Sequence, residues 1–339
     1  MKIIGLNFFL FLLTMLLLIA ELSFGSADIP LSEIWQILKG NQGQNPSWEI
    51  IVLQSRMPRA LAAMAAGASL SISGLMMQTL FRNPLAGPHI LGVSSGAGLG
   101  VALYIMGFGA LGVSVEMGIG KYMLLMASML GGMVVLAILF TVSLRVRDML
   151  TVLIVGILMS SAAMALVGIL QYLSPEDQVK SFVIWTLGSF DGVSLDDARV
   201  FLPISGLLLL SLVFLLKALN LLLAGEEYAL SMGLNVRSAR LQIMMLAGAL
   251  TAIVTAYCGP IGFIGVIVPH FSRMALGSND HKVLWISTML MGVNLLLFAD
   301  LLSHLPGSAR ILPVNSITSL IGIPFIFWML LRKKVIHKL

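Results

Sequence analysis

Residues 57–80 read MPRALAAMAAGASLSISGLMMQTL, with a single charge, Arg59, at the third position. A helix rises ~1.5 Å per residue and needs ~20 mostly apolar residues to cross a ~30 Å hydrocarbon core. This stretch is long enough. From Ala60 to Gly74 it is nearly all small residues, the composition that lets helix backbones approach closely in lipid.

Outward from it, similar stretches recur. The expected spans are 3–24, 57–80, 85–108, 122–144, 149–173, 200–223, 241–258, 259–276, 283–304 and 311–331. The stretch from Phe182 to Phe190 is too short to cross and reads as a re-entrant or interfacial helix. The chain has 339 residues, 58% hydrophobic and 10% charged, against roughly 25% charged in a soluble domain. The reading is an all-α integral membrane protein of about ten helices, a single transmembrane domain over 1–339. The first run, from Ile3 to Phe24, is too long for a signal-peptide core and no A-x-A site follows it, so it reads as the first span.

Charge sets the expected orientation. The C-terminus carries Arg332, Lys333, Lys334 and Lys338, which the positive-inside rule keeps in the cytoplasm. An even span count puts Lys2 on the same side. Arg82, Arg145, Arg147, Lys217, Arg237, Arg240, Arg273 and Lys282 then fall on cytoplasmic connections, which with the termini makes 13 of the 20 Lys and Arg. Most acids fall on the outer connections, among them Glu21, Glu49, Asp191, Asp196 and Asp197. The net charge of +5 is scattered between apolar runs and forms no nucleic-acid patch. The one cysteine, Cys258, reads as a small packed hydrophobe.

Two spans are interrupted near their starts, at Gly87-Pro88 and Gly259-Pro260. Paired breaks in the two halves suggest an internal repeat around a transport path. Gly92, Gly96 and Gly100 stand four apart, on one face of a close-packed helix.

Catalytic constellations are nearly absent. The one Gly-Lys pair, Gly120-Lys121, is followed by Tyr122 and has Val115 where a phosphate-binding loop needs glycine. The chain therefore does not read as an ATPase or other enzyme. The five histidines show no metal-ligand spacing, and no cofactor is expected on this chain.

Three features stand out. Residues 225–240 form the longest internal cytoplasmic connection. Glu226 to Met232 can form a short helix with Gly233 as its C′ residue and Asn235 capping the next. Two short helices meeting at an angle are either a solvated linker or a docking knob for a cytoplasmic partner. Arg56 and Arg59, three apart on the outer side, are either headgroup anchors or an outward guanidinium pair for acidic groups of an external partner; Arg310 would be a third. Asp300 lies near a span end with His304 one turn away, a structural pair in preference to an ion-coupling site.

The chain resembles the FecCD-type permeases of type II ABC importers, which carry iron–siderophore complexes, haem and cobalamin. The resemblance rests on Arg56-Met-Pro-Arg59, Ser73-Gly-Leu-Met-Met-Gln78, Arg82-Asn-Pro-Leu-Ala86, Gly259-Pro-Ile-Gly-Phe-Ile-Gly265, Val268-Pro-His270 with Arg273, Asp280-His281, Ala299-Asp-Leu-Leu302 and Leu312-Pro-Val314. It implies ten helices per subunit, a dimer of two permease copies, two ABC ATPase subunits that use the ATP, and a periplasmic or lipid-anchored binding protein, all at the inner membrane. By that resemblance Glu226, Glu227, Ala229, Leu230, Gly233 and Leu234 couple to the ATPase. Arg56 and Arg59 match docking arginines, and Arg145, Val146, Arg147, Asp148 and Met149 fall at the inner gate. Ile311, Asn315, His304 and Lys282 depart from the family pattern; with His304 in place of the usual arginine, Arg310 stands in as third docking contact. The rival reading is a proton-coupled secondary transporter built on Asp300.

Overall fold

The computed structural model describes residues 2–25, 27, 29–41, 45–107, 117–146, 148–304 and 311–331. Among these, every regular element is helical. In chain order they are α1 (Lys2–Ser23), α2 (Leu31–Leu38), α3 (Pro46–Leu80), α4 (Val93–Gly107), α5 (Met117–Arg145), α6 (Met149–Leu173), α7 (Glu176–Thr186), α8 (Leu195–Ala224), α9 (Glu226–Ser231), α10 (Val236–Cys258), α11 (Ile264–Leu276), α12 (His281–Ser303) and α13 (Val314–Leu331). Seven are long and apolar enough to cross a membrane, and α4, α11 and α13 are shorter apolar helices. Together these ten match the ten expected spans, and the chain is a multi-pass membrane protein. The short helix expected from Phe182 to Phe190 is α7, which begins earlier and ends at Thr186.

Helix starts follow from local chemistry. Asp148, Asn235 and Asp280 each accept a backbone N–H of the following first turn, at α6, α10 and α12. At α8 the pair Ser194 and Asp197 forms a reciprocal capping box. Each cap satisfies donors that the helix itself leaves open.

Helix α3 is the centre of the bundle. It packs on α8, α10, α11 and α12, and the apolar heart of its span is almost wholly buried. Small residues make this possible. A Cβ on Gly67 would lie 2.6 Å from the carbonyl carbon of Gly292 in α12, so the two backbones touch with nothing between them. Gly74 meets the Gly265 backbone of α11 in the same way. Gly96 and Gly100 of α4 face Gly131 and Ala127 of α5. Gly92 does not share that face: it stands ahead of α4 with φ +74° and turns toward Gly156 and Ser160 of α6. The expected three-glycine stripe is thus a two-glycine contact preceded by a turn.

The two Gly-Pro breaks are real interruptions. Pro88 opens a single 3₁₀ turn before α4, and Gly259, at φ +72°, ends α10 ahead of a short non-helical link to α11. Cys258 is buried among apolar neighbours, as its surroundings suggest.

Candidate functional site

Two clusters of candidate side chains stand apart. The first surrounds the loop between α8 and α10. Helix α9 closes with a paired turn: Gly233 N–H donates to Leu230 O (2.9 Å) and Leu234 N–H to Ala229 O (2.9 Å). This is the Schellman arrangement, which needs a left-handed residue at its C′ position. Gly233 supplies it at φ +78°. Asn235 Oδ1 then accepts Ser238 N–H (3.0 Å) and starts α10. Only one helix is short; the second is the first turn of a full span.

Ala229 is completely buried, while Leu230, Tyr228 and Met232 are exposed. The expectation that Ala229 faces a partner is corrected. A six-residue helix has one buried side, and Ala229 holds it against the apolar core that α8 and α10 share. Tyr228 and Met232 were not singled out from sequence, although their apolar character in a charged connection was visible there. Glu227 is exposed, and Glu226 is ion-paired with Arg240.

A cleft of about 870 Å³ lies beside α9, and its walls include Arg145, Val146, Glu226, Leu230, Gly233 and Leu234. Residues assigned separately to an inner gate and to a coupling segment therefore line one space. The residues next to each set are bonded, because Arg237 donates to the carbonyl of Leu144 in the last turn of α5. Asp148 caps α6 on the same turn; the Leu150 N–H and the Thr151 hydroxyl hold its carboxyl below the usual range. Arg147 lies outside the described residues, as does the side chain of Met149.

The base of α9 is fixed to the bundle. Arg82 Nη2 donates to Leu222 O (3.3 Å), joining the end of α3 to the last turn of α8. Just beyond, His281 Nδ1–H donates to Asn220 Oδ1 (2.8 Å), and its Nε2 is 2.8 Å from Thr79 Oγ1. Asn220 Nδ2 donates to Asp280 Oδ1 (2.6 Å). Helices α3, α8 and α12 are thereby tied together where α9 emerges.

The second cluster gathers Glu21, Arg59, Asp191, Asp300 and His304. Arg59 Nη2 donates to Glu21 Oε2 (2.9 Å), Nε lies 3.0 Å from Asp300 Oδ2, and Nη1 lies 3.6 Å from Asp191 Oδ1. His304 bridges Asp191 (3.1 Å) and Asp300 (3.4 Å). The Asp300–His304 pair expected from sequence is present, inside a larger network. Glu21 and Asp300 have no solvent exposure.

Burial alone would lower the pKa of His304, which sits just past α12, but hydrogen bonds to Asp191 and Asp300 outweigh it and raise the imidazole to about 10. Burial likewise pushes Asp191 up, yet His304 and Arg59 hold its carboxyl below the usual range.

Arg56 is also turned inward. Its Nη1 donates to Leu22 O and Ser23 O (both 2.7 Å), and its Nη2 to Ala27 O. Arg56 and Arg59 are 3% and 5% exposed, so the expected outward pair of guanidiniums is, in this conformation, a pair of internal cross-braces. Arg310 lies outside the described residues.

Comparison with known proteins gives a consistent result. The chain is 36% identical over 330 residues to the hemin transport system permease protein HmuU of Yersinia pestis, covering 96% of this chain and 95% of that one. It is 35% identical to the molybdate import system permease protein MolB of Haemophilus influenzae, covering 93% of each. It is 34% identical to the vitamin B12 import system permease protein BtuC of Klebsiella pneumoniae, covering 96% and 94%. A solved metal-chelate type ABC transporter in an inward-facing conformation superposes with a TM-score of 0.83 at 32% identity, covering 99% of each chain. Residues 12–332 match the FecCD transport family, and with relatives of this identity along nearly its whole length the chain belongs to that family of ABC-transporter permeases.

Proposed function

We propose that this chain is the membrane subunit of an importer that moves a metal chelate inward across the inner membrane, with an iron–siderophore favoured over haem or cobalamin. Two copies of the chain form the pathway. Two separate ABC ATPase subunits bind at the α9 end, and a periplasmic or lipid-anchored binding protein delivers cargo at the end that holds Arg59. Both termini are cytoplasmic. The relatives' names span hemin, vitamin B12 and molybdate, so the preference for a chelate rests on the wider resemblance.

The observation that carries this reading is the linkage around α9. Exposed apolar side chains, Tyr228 and Leu230 on either flank of the buried Ala229 and Met232 just past the last turn, mark a helix whose base is braced by Arg82 and whose following turn is bonded through Arg237 to the end of α5. A push on that helix reaches the 145–149 turn without a loose loop to absorb it. Glu226, Glu227, Gly233 and Leu234 shape the knob, Ala229 seats it, and Leu230 makes the contact. Arg56 and Arg59 enter binding-protein docking only if that contact draws them out of their internal pairs. The proton-coupled reading loses its motive, since the charge of Asp300 is compensated within the chain by Arg59 and His304.

Co-purification tests the assignment. The wild-type chain should retain the ATPase in detergent, and Leu230→Glu should release it while the permease remains a monodisperse dimer. Equal retention by both would remove α9 as the docking edge.

A further inference from the structure

We propose that α2 is a membrane-surface anchor, a short helix lying in the phospholipid headgroup layer with one flank on the protein and the adjoining flank on lipid. Its residues, Leu31–Leu38, belong to the connection between the first two spans. At 100° per residue they divide the helix into three sectors. Ile37 and Ile34 are buried against Leu22 and Val52. Next around the axis come Leu38, Leu31 and Trp35, which are 46%, 60% and 62% exposed. Beyond them lie Lys39, Ser32 and Gln36, all exposed and polar. The apolar arc is continuous over about 160°, and the protein covers only part of it.

The level of the helix identifies what covers the rest. Helix α1 has 22 residues, so it rises ~33 Å and its ends fall at the boundaries of a ~30 Å hydrocarbon core. Leu22 is in its last turn. Because Ile34 and Ile37 pack on Leu22, α2 is held at that boundary. It is also peripheral, since only 11% of the span window of α1 is buried. The exposed apolar side of α1, with Leu16 and Ile19, runs up toward α2 and continues through exposed Phe24.

The side chains suit that layer. Trp is favoured at the headgroup level because it is apolar in body and polar at one edge. The Lys39 ammonium lies 4.9 Å from the Trp35 ring centroid, at the border between the apolar and polar sectors, where a lysine can snorkel to lipid phosphate. The one acid of the helix, Glu33, is buried on the protein side and not displayed to phosphate.

Spin labels at 31, 38, 32 and 36 of the full chain, each as a single cysteine in a Cys258→Ala background, test this in vesicles of phosphatidylethanolamine and phosphatidylglycerol. Labels at 31 and 38 should relax with oxygen and resist a water-soluble nickel chelate, with an oxygen-to-nickel accessibility ratio several-fold above that at 32 and 36. Equal nickel access at all four sites would place the helix in water and overturn the proposal. Protection of 31 and 38 from both probes would mean that protein covers the face, and would overturn it too. Where a label prevents assembly, Trp35 serves as the reporter after Trp48, Trp185, Trp285 and Trp328 are changed to Phe. Its emission should be lost to bromine-labelled acyl chains, and unquenched emission would contradict the anchor.

Discussion

The Nε2–H of His89 donates to the carbonyl oxygen of Ile261 across 2.7 Å. His89 follows the Gly87-Pro88 break and Ile261 follows the Gly259-Pro260 break, so two interruptions far apart in the chain are joined by one hydrogen bond. Gly265 completes the junction, because a Cβ there would lie 3.1 Å from Pro88 Cγ. Breaking a helix frees backbone groups that lipid cannot satisfy, and irregular backbone survives at membrane depth only where the protein satisfies it.

His89→Leu therefore leaves a buried carbonyl without its donor. The expected cost is about 1–3 kcal/mol, read as a lower thermal midpoint in detergent. His89→Gln, which keeps a donor, should recover part of the loss. Equal midpoints for wild type and His89→Leu would show that the junction contributes nothing.

Arg59 holds the second cluster together. Its removal strands Glu21 and leaves Asp300 with His304 alone, both carboxylates being fully buried. Breaking such a pair from one side costs about 3–5 kcal/mol, whereas removing both signs together is often close to neutral. Arg59→Ala should be severely destabilised. Arg59→Met combined with Glu21→Gln and Asp300→Asn should recover most of the difference in thermal midpoint. If the single variant unfolds like wild type, the cluster is not structural.

The same cluster predicts a pH dependence. The folded pKa of His304 is about 10, above ~6.5 for free histidine, so its stabilisation is complete below about pH 6.5 and lost as pH rises through 10. Asp191 is depressed; its contribution is present above ~3.9 and lost as pH falls through its lower folded value. From about pH 6 to about pH 10 the wild-type midpoint should fall more steeply than that of His304→Gln. Parallel curves would contradict the assignment.

Gly233 is required for its backbone and not for lack of space. It has φ +78°, and a Cβ there would touch nothing. Asparagine tolerates this conformation and a β-branched residue does not, at roughly 1–2 kcal/mol for the left-handed region. Gly233→Asn should transport normally. Gly233→Val should keep the permease folded but uncouple ATP hydrolysis from cargo. Identical transport by the two variants would leave α9 as a linker.

Much of this was legible in the sequence. The spans follow from length and apolarity, and the caps at Gly233 and Asn235 from local chemistry that needs only neighbouring residues. The inward turn of Arg56 and Arg59 was not legible, because their partners come from the end of α1, the loop after α7 and the end of α12. The phase of α9 was hidden since six residues define no periodicity, which is why the expectation placed Ala229 outward although it is buried. Helix α2 is eight residues in an otherwise polar connection, too short for its amphipathic pattern to stand out.

The central claim is that transport through this chain is driven by a separate ATPase. The direct measurement is uptake of labelled ferric siderophore, haem and cobalamin into proteoliposomes holding the permease, its ATPase and its binding protein. The account predicts accumulation of one chelate that requires ATP and all three components and is indifferent to a pH gradient. Uptake by the permease alone, driven by a proton gradient without ATP, would contradict it.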